Sequence, residues 1–135
     1  MRDEATLLFA NEAFYEAFAG RDTAAMEALW AKRHPVAVIH PGWHALAGRE
    51  AVMRSWRGIL ENPEAPDIAC RGARAFVQGE AAFVVCYEVL GDSVLAATNV
   101  FVREDGEWRL VHHQAGPCPA PAPGEPDEDA APRVQ

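Results

Sequence analysis

The sequence lacks the features that identify a membrane, secreted or nucleic-acid-binding protein. No apolar run approaches the roughly 20 residues that a membrane-spanning helix needs, and residues 1–4 have neither the basic start nor the apolar stretch of a secretory signal. The 135 residues carry a net charge of -8, which provides no basic surface for nucleic acid or for an anionic membrane. We therefore expect a cytoplasmic protein whose partner is a small molecule or another protein.

Cysteine is also scarce. Cys70, Cys86 and Cys118 form an odd, scattered set without the close pairs that zinc sites and disulfide frameworks show. We expect all three to be free thiols, with Cys86 in the core. No bound cofactor is expected.

The composition predicts one domain followed by a tail. The chain is 50% hydrophobic, and a chain of 135 residues can close one core but not two. From Cys118 onward the sequence is rich in proline, alanine and acidic residues, and such a segment cannot offset its own ordering entropy. We expect a folded domain over residues 1–117 and a disordered acidic tail over residues 118–135.

The first half of the chain predicts three helices. Apolar residues recur at helical spacing in three segments, which end before Gly20, at His34-Pro35 and at Asn62-Pro63. The apolar positions are Leu7, Phe14 and Phe18 in the first segment, Met26, Leu29 and Trp30 in the second, and Val52, Trp56, Ile59 and Leu60 in the third. Residues 36–40 predict a short strand between the second and third helices.

The second half predicts an antiparallel meander. Residues 68–77, 81–90, 94–103 and 108–115 are rich in strand formers and are separated by turn residues. Helices followed by antiparallel strands indicate the α+β class. A two-residue turn at Asp105-Gly106 would pair Asn99 with His112, and a tight turn at Gly91-Asp92 would bring Glu88 to the same face.

Three stretches resemble the SnoaL-like branch of the NTF2-like superfamily. They are Val-Ala-Val-Ile-His-Pro-Gly-Trp at residues 36–43, Gly-Arg-Glu-Ala-Val at residues 48–52, and residues 97–114, which end in Trp-Arg-Leu-Val-His-His-Gln. The resemblance implies a cone in which three N-terminal helices pack on a curved, mostly antiparallel sheet around a pocket. It also implies a homodimer formed through the sheet. The activity stays open, because the superfamily contains isomerases, cyclases, dehydratases, transport factors and association domains.

The ketosteroid isomerase branch suggests where a site would lie. His40 stands where the isomerase has its aspartate base, and Asn99 stands where it has the protonated aspartate of its oxyanion hole. The oxyanion tyrosine of the isomerase aligns with Phe14, next to Tyr15. The isomerase set is therefore not preserved in this chain.

The candidate catalytic residues are His40, Asn99, His112 and Glu88. An imidazole with a pKa of about 6.5 can take a proton at neutral pH, so His40 is the candidate base. The amide of Asn99 can donate to an oxyanion, with His112 sharing that role and Glu88 raising histidine basicity. Alternatively, His40 is a hydrogen-bonded loop residue and the other three form a self-satisfied buried network. His40, His112 and Glu88 could also bind zinc, but the usual spacing is missing and no metal is predicted.

The candidate ligand-binding residues are mostly aromatic, and we expect one or two of them to line a cavity while the rest form the core. The set is Phe14, Tyr15, Trp30, Trp43, Trp56, Phe101 and, in addition, Gln114. His113 is expected to point away from the face that carries His112. Apolar residues on the outer sheet face predict a dimer interface formed by Phe83, Val85, Tyr87, Val100 and Val111.

Two functions follow from these observations. The first is a SnoaL-like protein that binds an apolar or polyketide-like compound in a pocket, with isomerase, cyclase or hydratase chemistry as its extension. The alternative is a noncatalytic NTF2-like module for dimerisation or ligand sensing. An open cavity with a polar base beside His40 and His112 would favour the first function.

Overall fold

The computed structural model describes residues 2–123 and has the expected α+β architecture, with three helices and one six-stranded sheet. The helices are α1 (Arg2–Ala19), α2 (Thr23–Leu29) and α3 (Arg49–Glu61). The strands are β1 (Ala37–Ile39), β2 (Leu46–Ala47), β3 (Ala69–Gln78), β4 (Ala81–Leu90), β5 (Ser93–Glu104) and β6 (Glu107–Cys118). The predicted fold class is confirmed.

Local signals in the sequence explain where the helices begin and end. The side chain of Asp22 accepts a hydrogen bond of 3.0 Å from the backbone N–H of Ala25 and so caps α2. Gly48 precedes α3 with a φ of 93°, a backbone conformation that favours glycine. The buried face of α3, which includes Val52 and Trp56, packs toward the sheet.

The strands lie in the order β2-β1-β6-β5-β4-β3. Strand β1 pairs with β6 in parallel, and the other neighbouring strands are antiparallel. We call the face that packs against the helices the inner face and the opposite one the outer face. On β4, Val84, Cys86 and Glu88 lie on the inner face, as predicted for Glu88.

The predicted pairing of Asn99 with His112 is wrong. The hairpin begins as expected, with Glu104 opposite Glu107 and Phe101 opposite Leu110, but the register then shifts between Val100 and Phe101. An extra residue in one strand of a pair turns every later side chain to the other face. As a result, Asn99 lies opposite His113, which is buried on the inner face, and the expectation that His113 points away is wrong as well.

The core lies between the helices and the inner face. Its largest fully buried side chains include Trp30, Trp56, Phe14 and Phe101. The three cysteines are free, and Cys86 is buried. No helix within residues 2–123 is both long and apolar enough to cross a membrane.

The last strand reaches slightly beyond the expected domain boundary at residue 117. Strand β6 ends at Cys118, and Ala122 is buried. Residues 124–135, which make up most of the expected tail, lie outside the described residues. The division into a folded domain and a disordered tail stays a prediction.

Candidate functional site

A cavity of about 330 Å³ lies at the inner face, and we call it the inner cavity. Its lining combines a large apolar surface with three polar residues, His40, Glu88 and His113. The apolar lining comes from Phe14, Phe18, Pro41, Trp43, Trp56, Ile59, Pro66, Ile68, Leu90 and Leu95. An apolar pocket with a few converging polar groups is the usual form of a small-molecule site.

Three strands of the sheet bring the polar residues together. His40 directly follows β1, Glu88 lies near the end of β4, and His113 lies on β6. All three side chains are buried. Because β1 pairs with β6, the rings of His40 and His113 come within 6.5 Å of each other, measured between centroids.

His40 is held by α3. Its Nε2 atom lies 2.9 Å from Oγ of Ser55, and that hydroxyl donates a hydrogen bond of 2.7 Å to the backbone oxygen of Val52. The ring also makes edge contacts with Trp43 and Trp56. Burial lowers the pKa of His40 to about 4, so the imidazole is neutral at pH 7.

A buried hydrogen-bond chain connects Glu88 to His113. The hydroxyl of Tyr15 donates to Oε2 of Glu88 at 2.6 Å, and Nδ2 of Asn99 donates to the Tyr15 hydroxyl at 3.2 Å and to Oδ1 of Asn11 at 2.8 Å. The Oδ1 atom of Asn99 lies 2.6 Å from Nδ1 of His113. The two ends of this series of hydrogen bonds lie near each other without a hydrogen bond between them, since Nε2 of His113 is 3.8 Å from Oε2 of Glu88.

Burial moves the pKa values of these groups in opposite directions. It raises the pKa of Glu88, although the hydrogen bond from Tyr15 opposes that shift. It lowers the pKa of His113 to about 3, and the nearby His40 and His112 rings add to that shift. The carboxyl group thus becomes more basic than usual and the imidazoles less basic, which is common where proton transfer takes place.

The structure brings His40 and Glu88 to the inner cavity, as the sequence analysis proposed, but not His112. His112 lies on the other side of β6, where its Nδ1 atom is 2.9 Å from the backbone oxygen of Ala37. Asn99 is fully buried behind the cavity, and its amide hydrogens are already used by Asn11 and Tyr15. An oxyanion-donor role for Asn99 therefore lacks free hydrogens.

The aromatic candidates divide into lining and packing residues. Phe14, Trp43 and Trp56 line the inner cavity, so three of the candidates do so rather than the expected one or two. Trp30 and Phe101 are fully buried in the core and do not line it. Tyr15 lies one step behind the lining and holds Glu88, while Gln114 is exposed on the outer face, so that neither borders the cavity.

Sequence reasoning missed His113 as a site residue. The two adjacent histidines near the end of the Trp-Arg-Leu-Val-His-His-Gln stretch were the available signal. The register between β5 and β6 determines which of them faces the inner cavity. Within residues 2–123, no group of three or more His, Cys, Asp or Glu side chains is placed to hold a metal ion. The combination of His40, His112 and Glu88 is not assembled, because His112 lies on the wrong side of β6.

Comparisons with known proteins agree with this architecture. Residues 8–121 match the SnoaL-like domain family. A proposed dehydratase of the NTF2-like family from Streptomyces avermitilis is 33% identical, with a TM-score of 0.79 over 88% of this chain and 98% of that one. A proposed calcium/calmodulin-dependent protein kinase type II association domain from Thiobacillus denitrificans is also 33% identical, with a TM-score of 0.69 over 82% of this chain and 93% of that one.

A curated plant protein shares part of this sequence. The F-box protein SKIP8 of Arabidopsis thaliana is 25% identical over 111 residues, which are 81% of this chain and 48% of the plant protein. The chain thus spans about half the length of the curated relative that it matches.

Proposed function

The chain belongs to the SnoaL-like domain family, and on that premise we propose that it binds a small, mostly apolar organic molecule in the inner cavity and transfers a proton at the cavity's polar end. The observation that carries this proposal is the mostly apolar cavity whose lining includes His40, Glu88 and His113. Its volume of about 330 Å³ suits a compound of two or three rings.

The charge of the lining favours a neutral ligand. Among the residues that the structure describes, neither lysine nor arginine contributes to the lining of the inner cavity. Both histidines are neutral at pH 7, because burial lowers their pKa values to about 4 for His40 and about 3 for His113. A carboxylate or phosphate group would therefore lose its hydration without gaining a counter-charge.

Glu88 is the better candidate for the proton acceptor. A general base works best when its pKa lies near the working pH, and burial moves the pKa of Glu88 in that direction while it moves the pKa of His40 away. We therefore assign the base role to Glu88 rather than to His40, with Tyr15 holding the carboxylate in place. Similarity to a proposed dehydratase, 33% identical, supports acid–base chemistry of this kind.

Ligand binding is tested with variants that fill the inner cavity. Leu95, which lines the cavity, is replaced by tryptophan, and the neighbouring Ala96, exposed on the outer face, is replaced by tryptophan as the matched control. In calorimetric titrations with 2-naphthol, we expect binding by the wild type and by Ala96→Trp but not by Leu95→Trp. Equal binding by all three proteins would mean that the ligand lies elsewhere and would overturn the proposal.

Proton transfer is tested with 5-nitrobenzisoxazole, a neutral bicyclic molecule whose ring opens when a base removes its carbon-bound proton. We expect turnover above the buffer rate that rises with pH as Glu88 ionises. Glu88→Gln keeps the size of the side chain and should lower the rate at least tenfold, while Glu88→Asp should retain part of it. A rate that is insensitive to Glu88→Gln would remove Glu88 from the proposed role.

A second candidate function is assembly through the sheet. Phe76 and Phe83 stack at 4.8 Å on the outer face and are 39% and 36% exposed. Similarity to a proposed kinase association domain, 33% identical, favours assembly as a function. We expect the wild type to be a dimer by light scattering and Phe83→Glu to be a monomer, whereas Phe9→Glu, at a phenylalanine exposed on α1, should remain a dimer. A monomeric wild type at micromolar concentration would rule out this function.

A further inference from the structure

We infer that the polar end of the inner cavity presents two bare ring nitrogens, Nδ1 of His40 and Nε2 of His113, and that it therefore holds its ligand by a hydroxyl hydrogen rather than by a carbonyl oxygen. This inference rests on the proposed binding function and names the ligand class: an apolar alcohol, enol or phenol. It follows from the hydrogen bonds that fix the tautomer of each ring.

The tautomer of His40 is set by Ser55. A serine hydroxyl has a single hydrogen, and Ser55 gives it to the backbone oxygen of Val52 at 2.7 Å. At 2.9 Å from Nε2 of His40, the same oxygen can then only accept, so that Nε2 carries the ring hydrogen. Nδ1 of His40 is left with its lone pair and has no hydrogen-bond partner among the residues that the structure describes.

The tautomer of His113 is set by a longer chain that starts at Glu88. Tyr15 gives its hydrogen to Oε2 of Glu88 at 2.6 Å, so its oxygen accepts from Nδ2 of Asn99 at 3.2 Å. Because Nδ2 of Asn99 also donates to Asn11 at 2.8 Å, the amide orientation is fixed and its Oδ1 atom faces Nδ1 of His113 at 2.6 Å. That oxygen accepts, so Nδ1 of His113 carries the hydrogen and Nε2 is bare.

Neither histidine has a hydrogen left to offer a ligand. Nε2 of His113 lies 3.8 Å from Oε2 of Glu88, which is too long for a hydrogen bond, and His113 belongs to the lining of the inner cavity. An ionised Glu88 adds a further acceptor. The indole nitrogen of Trp56 is enclosed by protein, and Trp43 is 48% exposed and so belongs to the solvent side of the cavity.

With Glu88 ionised, a ligand carbonyl at this end would face lone pairs and lose its hydrogen bonds to water without replacement. A hydroxyl group would donate to one of the bare nitrogens instead. An unsatisfied buried polar group typically costs enough to change affinity about tenfold or more. The polar end should therefore discriminate between ligands that share one ring system and differ only in a hydrogen-bond donor.

The ligand class is tested by calorimetry at pH 7 with 2-naphthol, 2-methoxynaphthalene and 2-acetonaphthone. The three compounds share a two-ring body, and only the naphthol has a donor. We expect 2-naphthol to bind at least tenfold more tightly than the other two. Equal affinities would overturn this inference and leave the proposed binding function intact, whereas absence of binding by all three would overturn both.

The tautomers are tested directly on the wild type by long-range proton–nitrogen correlation spectra of protein with labelled histidines. At pH 7 we expect a hydrogen on Nε2 of His40 and on Nδ1 of His113, and the opposite tautomer at either ring would overturn the inference. Ser55→Ala frees the His40 ring, so the preference for 2-naphthol should fall several-fold. The same substitution at Ser93, exposed at the start of β5, should leave that preference unchanged.

Discussion

Glu88 and Glu104 are two buried carboxyl groups with opposite pKa shifts. Their residues are 3% and 5% exposed, so burial alone would raise both pKa values. The pKa of Glu88 is indeed raised, whereas the pKa of Glu104 falls from 4.5 to about 2. The difference lies in the hydrogen-bond donors around each carboxyl group.

Glu104 is surrounded by donors. Its two oxygens accept hydrogen bonds from the backbone N–H groups of Lys32 and Arg33, at 3.0 and 2.9 Å, and Oε2 lies 2.7 Å from Nδ1 of His34. These contacts outweigh the effect of burial on the pKa, and the charge of Arg33 adds to them. Glu104 thus ties the segment after α2 to the end of β5 as an anchor that is charged at neutral pH.

Within residues 2–123, Glu88 has one donor, the hydroxyl of Tyr15 at 2.6 Å. The nearby Nε2 atom of His113 carries no hydrogen in the tautomer inferred above, so it cannot stabilise the carboxylate. Burial therefore dominates and keeps the proton on Glu88 to higher pH. A buried carboxyl group that is short of donors keeps its proton to a higher pH than one that is fully satisfied.

The largest loss of stability should come from Glu104→Gln. The amide accepts more weakly than the carboxylate, and its NH₂ group conflicts with the N–H groups that Glu104 now satisfies. We expect the free energy of unfolding to fall by about 2 kcal/mol in urea denaturation at pH 7. Glu107→Gln, at an exposed position of the same hairpin, is the control and should change it by less than about 0.5 kcal/mol. Similar losses in both variants would contradict the anchor role.

Tyr15→Phe should widen the difference between the pKa values of Glu88 and Glu104. It removes the single donor, so the pKa of Glu88 should rise further, and the lost hydrogen bond should cost about 1 kcal/mol. Carbon-detected titration of the Glu88 carboxyl group measures the first effect and urea denaturation the second. Tyr87→Phe, at the half-buried tyrosine on the outer face, should leave the Glu88 titration unchanged. A lower Glu88 pKa in Tyr15→Phe would show that this hydrogen bond favours the protonated form.

The sequence was sufficient to predict the fold but not the pairing that builds the site. Helical spacing and turn residues located all three helices and the four long strands, because these signals are local. Val111 is the extra residue of β6 at the register shift, and no local sequence signal marks this bulge. The bulge determines whether His112 or His113 reaches the inner face. No local pattern singles out Glu104, because its donors are about 70 residues away in the sequence and meet it only in the folded chain.

His34→Ala should have a smaller effect than either substitution above. The His34 side chain is half exposed, and Glu104 keeps its two backbone donors without it. We expect a loss of about 0.5 kcal/mol at pH 7 and a rise in the Glu104 pKa toward 4.5. Since the Glu104 pKa is lowered by folding, its contribution is present above pH 4.5 and is lost as the pH falls toward 2. His44→Ala, at an exposed loop histidine, should show neither change.

At acidic pH, Glu88→Gln should change the free energy of unfolding less than any of the substitutions above. At higher pH it should raise the free energy of unfolding, whereas the other substitutions lower it. Folding raises the Glu88 pKa, so between 4.5 and the raised value the folded wild type holds more protons than the unfolded chain, and this contribution to stability falls as the pH rises. Glutamine does not titrate. Below pH 4.5 the two proteins should agree within about 0.5 kcal/mol, since both side chains are then neutral.

The comparison with wild type isolates Glu88 from the other titrating groups of the cavity. Burial lowers the pKa values of His40 and His113, so their contributions increase with pH, but they are present in both proteins and cancel in the difference. Urea denaturation from pH 4 to pH 8 should therefore show Glu88→Gln gaining stability over wild type as the pH rises. Glu80→Gln, at an exposed position, should show a flat difference. A flat difference for Glu88→Gln too would mean that Glu88 ionises as easily in the folded protein as in the unfolded chain, and the contrast with Glu104 would then not reflect a shortage of donors.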